Sequence, residues 1–195
     1  MMKALGLVFT ILILLFISSC NEKEDFNGTL LDRPAKEFCL KGWKDNKERQ
    51  VCLSDFKGKV VLMFFGYTHC PDVCPAALQV LSKTMKRIPE AERDKVQVIF
   101  ISVDPERDTP EKAQKYAQFF YPDFIGLSGS PQEISKVAKD YMAFYKKVDS
   151  DSASGYLVDH TAYIYLIDPK GTLKLIYPST KQKPDLIAQD IEKFL

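Results

Sequence analysis

Nowhere does the sequence hold an apolar run of the roughly 20 positions that a bilayer-crossing helix needs. The longest, residues 4–17, falls short, which argues against a permanent span and fits the core of an export signal. Basic blocks are missing as well. Beyond residue 19 the chain carries 26 Lys and Arg against 26 Asp and Glu, well interspersed. Such a neutral body has no electrostatic footprint for nucleic acid. No internal repeat or low-complexity tract is present, which excludes a solenoid. After a short tether, about 165 residues remain, enough for one domain with a real core. Histidine is scarce: His69 and His160 are the only two, so each invites a chemical question.

What is present begins with an address. Met1-Met2-Lys3 is a short positive segment ahead of the apolar run, and Ile17-Ser18-Ser19-Cys20 resembles a bacterial lipobox. The expectation is a signal peptide over 1–19, cleavage after Ser19, and diacylation of Cys20, two chains being what stable anchoring needs. Residues 20–31 then form a flexible tether, and 32–195 a single domain at the extracytoplasmic face of a bacterial cell envelope. Outside the cytosol disulfides persist, so Cys39, Cys52, Cys70 and Cys74 can all be paired or metal-bound.

Hydrophobic patterning supplies the elements. Residues 35–40 and 49–53 flank Lys44-Asp45-Asn46-Lys47 as a β-hairpin. Residues 60–65 and 96–103 are continuous apolar runs of the buried, parallel-strand kind. Residues 75–88 carry Leu78, Leu81, Met85 and Ile88 at helical spacing, and Thr109-Pro110-Glu111 opens a second helix reaching residue 120. Residues 124–127 form a short strand, and Ser130-Pro131-Gln132-Glu133 starts a helix to residue 144. A polar insert (149–156), strands at 161–167 and 172–177, and a helix over 184–194 complete an α/β sandwich around a mixed sheet.

Within this order, GYTHCPDVCP (66–75) sets Cys70 and Cys74 four residues apart where the central strand meets a helix. Helical spacing brings their Cβ atoms to about 5–6 Å. The helix N-terminus favours thiolates there. The spacing leaves three readings open: a structural disulfide, a redox dithiol and a soft-metal site. Two thiolates and an imidazole make a copper set, because thiolate selects Cu(I) and imidazole tolerates Cu(II). His160, at the start of the strand expected beside the central one, is the better third ligand. His69 adjoins Cys70 but its side chain is expected to point away.

Three stretches, FGYTHCPDVCP, SVDPERDTPEK and VDHTAYIYLIDPKG, resemble the signatures of the Sco/SenC family, in the family's order, over residue 30 to the C-terminus. The resemblance implies a thioredoxin-like fold with an N-terminal hairpin, and Cys70, Cys74 and His160 as ligands of one copper ion, Cu(I) or Cu(II). It implies a membrane-anchored copper metallochaperone for assembly of the copper centre of cytochrome c oxidase. The implied partners are a copper-accepting oxidase subunit or another copper chaperone, with the chain acting as a monomer. A thiol–disulfide oxidoreductase acting through Cys70 and Cys74 on the cysteines of a copper-receiving protein stays open as the alternative. Thioredoxins set a cis-proline opposite their cysteine pair; here Asp159-His160-Thr161 occupies that region. Asp104–Asp108 (DPERD) follows a strand end near the site and could order it, while Asp72 and Asp159 are candidates for an oxygen ligand or for orienting His160. Trp43, near the hairpin tip, is a candidate partner contact.

Cys39 and Cys52 depart from the usual family pattern. If Asp45-Asn46 forms a two-residue tip, Lys44 faces Lys47, and counting outward sets Cys39 directly opposite Cys52 in a non-hydrogen-bonded pair. That separation suits a structural disulfide.

Overall fold

The computed structural model describes residues 25–150 and 155–195. The expected signal peptide, Cys20 and the first part of the tether lie outside the described residues. No helix among them is long and apolar enough to cross a membrane.

The fold is built around strand β4 (Val60–Gly66), in which every residue is buried. An all-apolar strand needs cover on both faces and neighbours on both edges. It has parallel β5 (Val96–Ser102) on one side and antiparallel β9 (Ile164–Ile167) on the other. Outward from β5 comes β6 (Ile125–Leu127); outward from β9 come β10 (Thr172–Tyr177) and β1 (Thr29–Pro34), giving the order β1-β10-β9-β4-β5-β6. Helices α1 (Val73–Arg87), α2 (Pro110–Phe120), α3 (Pro131–Asp140) and α4 (Pro184–Glu192) flank this mixed sheet, with α1 packed on α4. The expected α/β sandwich is therefore present. Two of its helix starts follow the sequence signals closely. The Thr109 side chain accepts the Lys112 N–H, and Ser130 and Glu133 form a reciprocal capping box, each ahead of a first-turn proline.

The N-terminal hairpin, β2 (Cys39–Lys44) and β3 (Lys47–Cys52), turns at Asp45 and Asn46, both with positive φ. Those residues tolerate the left-handed region a tight hairpin turn requires. Its register runs without a bulge from Lys44 opposite Lys47 to Cys39 opposite Cys52, and these two cysteines are disulfide-bonded with Cα atoms 4.0 Å apart.

Four expectations need correction. The tether does not extend to residue 31, because Thr29 already pairs with Ile176 in β1. Just before it, the backbone N–H groups of Asn27 and Gly28 donate to the fully buried Asp190 carboxylate (3.0 and 2.9 Å), which also accepts the Tyr177 hydroxyl. Helix α3 stops at Asp140 rather than near 144, since Met142 adopts φ +57 and the chain turns out of the helix. The ends of the polar insert, Asp149 and Tyr156, pair with each other in a second two-stranded sheet, β7 (Tyr145–Asp149) and β8 (Tyr156–His160). Strand β9 consequently begins at Ile164, and His160 ends β8 instead of opening the strand beside the centre.

Candidate metal centre

Strand β4 delivers the chain to the site at Gly66. A Cβ there would lie 2.7 Å from Cys74 Sγ and 2.9 Å from the Phe64 ring, so the sulfur occupies space that only glycine leaves free. Residues 67–72 then turn, with the Cys70 N–H donating to the Tyr67 carbonyl, and α1 begins at Val73. Cys74 thus sits in the first helical turn, fully buried, while Cys70 precedes the helix and is half-buried. The Cys74 N–H, one of the helix's unpaired amino-terminal donors, points at Cys70 Sγ (3.5 Å).

His160 approaches from the other side. Its ring stands edge-on to Phe64 and Tyr67, with centroids 5.9 Å from each. Nδ1 lies 3.3 Å from the Thr161 carbonyl oxygen. An oxygen there can only accept, so Nδ1 carries the proton and Nε2 turns its lone pair toward Cys74 Sγ, 3.2 Å away. A carbonyl that fixes the imidazole tautomer in this way is a common support for a metal-binding histidine. The two sulfurs and an imidazole nitrogen all lie within 4.8 Å of one another. Neither Asp72 nor Asp159 belongs to that group.

The electrostatics separate the thiols. Cys70 is held far below the ordinary thiol range, chiefly because the Cys74 S–H donates to its thiolate, with further donation from the backbone N–H groups of Asp72 and Cys74. Cys74 is pushed up, chiefly by burial and then by the same hydrogen bond and the neighbouring charge of Cys70. One proton shared between two sulfurs is a proton a thiophilic cation can displace.

His69 behaves as expected: its Nδ1 contacts Thr68 Oγ1 (3.1 Å) and lies 3.6 Å from Asp108, away from the thiols. The DPERD loop does order the site. Fully buried Asp108 accepts the Thr68 N–H (2.8 Å), the Thr68 hydroxyl (2.5 Å) and the Ser102 hydroxyl (2.6 Å), which fixes the turn before Cys70. Trp43 is half-buried on β2. Sequence reasoning missed Tyr156, which meets this loop from the second hairpin. The signal was available, since residues 145–148 and 156–158 are strand-forming segments on either side of a Ser/Asp/Gly tract.

Comparison with known proteins agrees with this geometry. Apo Sco1 from Thermus thermophilus superposes with a TM-score of 0.77 at 41% identity, covering 89% of this chain and 99% of that one. Bradyrhizobium japonicum ScoI, solved with copper bound, gives a TM-score of 0.72 at 42% identity, covering 83% and 99%. The mitochondrial SCO2 homolog of Mus musculus is 38% identical over 145 residues, 73% of this chain and 56% of that protein. The chain spans little more than half the length of such curated relatives. The fold is thioredoxin-like. A model of the family described as SCO1/SenC matches residues 36–195, nearly the whole folded body and all three signature stretches, and the chain belongs to that family.

Proposed function

We propose that this protein is an exported copper metallochaperone, anchored through a diacylated Cys20. In this reading Cys70, Cys74 and His160 hold one copper ion for delivery, as a monomer, to a copper-accepting subunit of cytochrome c oxidase or to another copper chaperone. The observation that carries the reading is the three-atom group itself: two sulfurs and one tautomer-fixed imidazole nitrogen within 4.8 Å, at the end of a rigid strand. Copper bound to a homologue with 42% identity supports it. The donor set fits the cargo. Paired thiolates suffice for Cu(I), and an added imidazole extends the set to Cu(II). The buried Cys74 and half-exposed Cys70 leave the ion reachable from one side, which is what transfer to another ligand set needs.

Equilibrium copper titrations in both oxidation states are the test. His160→Ala should weaken Cu(II) far more than Cu(I), since the thiolates dominate Cu(I) binding. Wild-type Cu(II) affinity in that variant would remove His160 from the site. Reduced wild-type protein that binds no copper yet reduces disulfides quickly would replace delivery by thiol–disulfide exchange. The intact mass of membrane-extracted protein tests the anchor; an unmodified Cys20 would sink it.

A further inference from the structure

We propose that Arg107 is a positioning residue for this site, fastening the β7–β8 hairpin to the sheet through Asp104 and Tyr156 and thereby setting where His160 stands relative to the thiols. The inference rests on His160 being a copper ligand.

The hairpin needs such a fastening. Strands β7 and β8 form a two-stranded sheet of their own, with no ladder to the six-stranded sheet among the described residues. Cys70 and Cys74 belong to the end of β4 and the start of α1, so the third ligand arrives on a separately held arm. At its His160 end the arm is closed by local bonds: Thr161 N–H donates to the Phe144 carbonyl (2.8 Å), and Phe144 N–H to Thr161 Oγ1 (3.0 Å). Those bonds tie the arm to itself. The His160 ring packs on Phe64 and Tyr67 and the chain runs on into β9, while a charged side-chain fastening to the loop that leaves β5 lies at the other end of β8.

There, Tyr156 is gripped at three points. Its hydroxyl donates to Asp104 Oδ1 (2.7 Å), its carbonyl accepts from Arg107 Nη1 (3.0 Å), and its ring lies under the guanidinium, 3.6 Å from carbon to centroid. Arg107 Nε in turn donates to Asp104 Oδ2 (2.5 Å), and Asp104 is fully buried in the loop that leaves β5. A second link runs alongside, between Lys147 on β7 and Glu106 in the same loop. A guanidinium can make the carboxylate bond, the carbonyl bond and the stacking contact together because it is planar and presents several donors in a fixed fork; an ammonium cannot. From Tyr156 to His160 the strand is extended, so a shift at its start carries to the imidazole about 13 Å away.

The test compares wild type with Arg107→Met, Arg107→Lys, Tyr156→Phe and His160→Ala. It reads Cu(I) and Cu(II) titrations, the Cu(II) absorption and paramagnetic resonance spectra, and hydrogen exchange of residues 156–160 in the metal-free protein. Arg107→Met is expected to weaken Cu(II) by roughly tenfold to a hundredfold, the usual cost of losing a ligand's support. It should alter the Cu(II) spectrum, leave Cu(I) nearly unchanged and speed exchange in β8 while β4 and β5 stay protected. Arg107→Lys keeps the charge in the loop, guarding against simple misfolding, and should recover part of the wild-type spectrum. Tyr156→Phe should lie between Lys and wild type. Wild-type Cu(II) affinity and spectrum in Arg107→Met, with His160→Ala impaired, would overturn the positioning role and leave the ligand assignment standing. Wild-type Cu(II) binding in His160→Ala would overturn both.

Discussion

The molecule holds two cysteine pairs, and they do opposite things. Cys39 and Cys52 face each other across a hairpin whose backbone fixes their Cα atoms 4.0 Å apart, and they are bonded. Cys70 and Cys74 are closer in sequence yet free, one half-buried and one fully buried, with an imidazole nitrogen 3.2 Å from the inner sulfur. The difference lies in what surrounds each pair. Opposed strands offer the first pair a partner and little else, so it staples. The second pair lies at a strand end, beside unpaired helix N–H groups and a histidine on a separate arm. It keeps its sulfurs free, as the proposed copper site requires.

The sharpest way to break this contrast is to exchange the pairs' fates. Cys70→Ser or Cys74→Ser should abolish tight binding of both copper oxidation states in equilibrium titration, because a lone thiolate cannot form the clasp. The Cys39→Ser/Cys52→Ser double variant should bind copper like wild type but lose about 3 kcal/mol of stability on the chain-entropy model, read as a melting temperature lower by roughly 6–12 °C. Copper loss in the double variant would end the division of labour. Gly66→Ala should cost about 2 kcal/mol by overpacking against Cys74 Sγ, with copper affinity falling alongside thermal stability. His69→Ala, at a partly exposed position outside the ligand group, should change stability by no more than about 0.5 kcal/mol and copper affinity very little.

Much of this contrast was legible in the sequence. The disulfide followed from counting outward from Asp45-Asn46, because hairpin register is a local property that two turn residues determine. The thiol pair's position followed from an apolar strand running into a helix start. Sequence reasoning singles out His160 as the better candidate third ligand, and the structure sets its Nε2 3.2 Å from Cys74 Sγ, but on a different element from the one expected. Its strand is the return arm of a hairpin whose partner is Tyr145–Asp149. That partner falls between the helix expected to reach residue 144, which Met142 in fact ends, and the polar insert expected from 149, so sequence patterning assigns it no strand. A single residue at positive φ leaves no periodic signature. The grip of Arg107 and Asp104 on Tyr156 spans about fifty positions, a contact that only the folded chain creates.

The buried Asp190 carboxylate fixes where the folded body begins, and that has a geometric consequence. Phe64 pairs with Ile164, Ile164 with Tyr177, and Thr29 with Ile176, so the chain enters the domain at the same end of the sheet where Cys70 and Cys74 stand. Three strand spacings separate entry from site, about 14 Å. From Cys20 to Asn27, held at Asp190, the backbone can stretch no more than about 25 Å. With Cys20 lipidated as proposed, the thiols patrol a layer on the order of 40 Å deep above the bilayer. The search for an acceptor then becomes two-dimensional, and only acceptors that present their copper-receiving group low over the membrane come within reach.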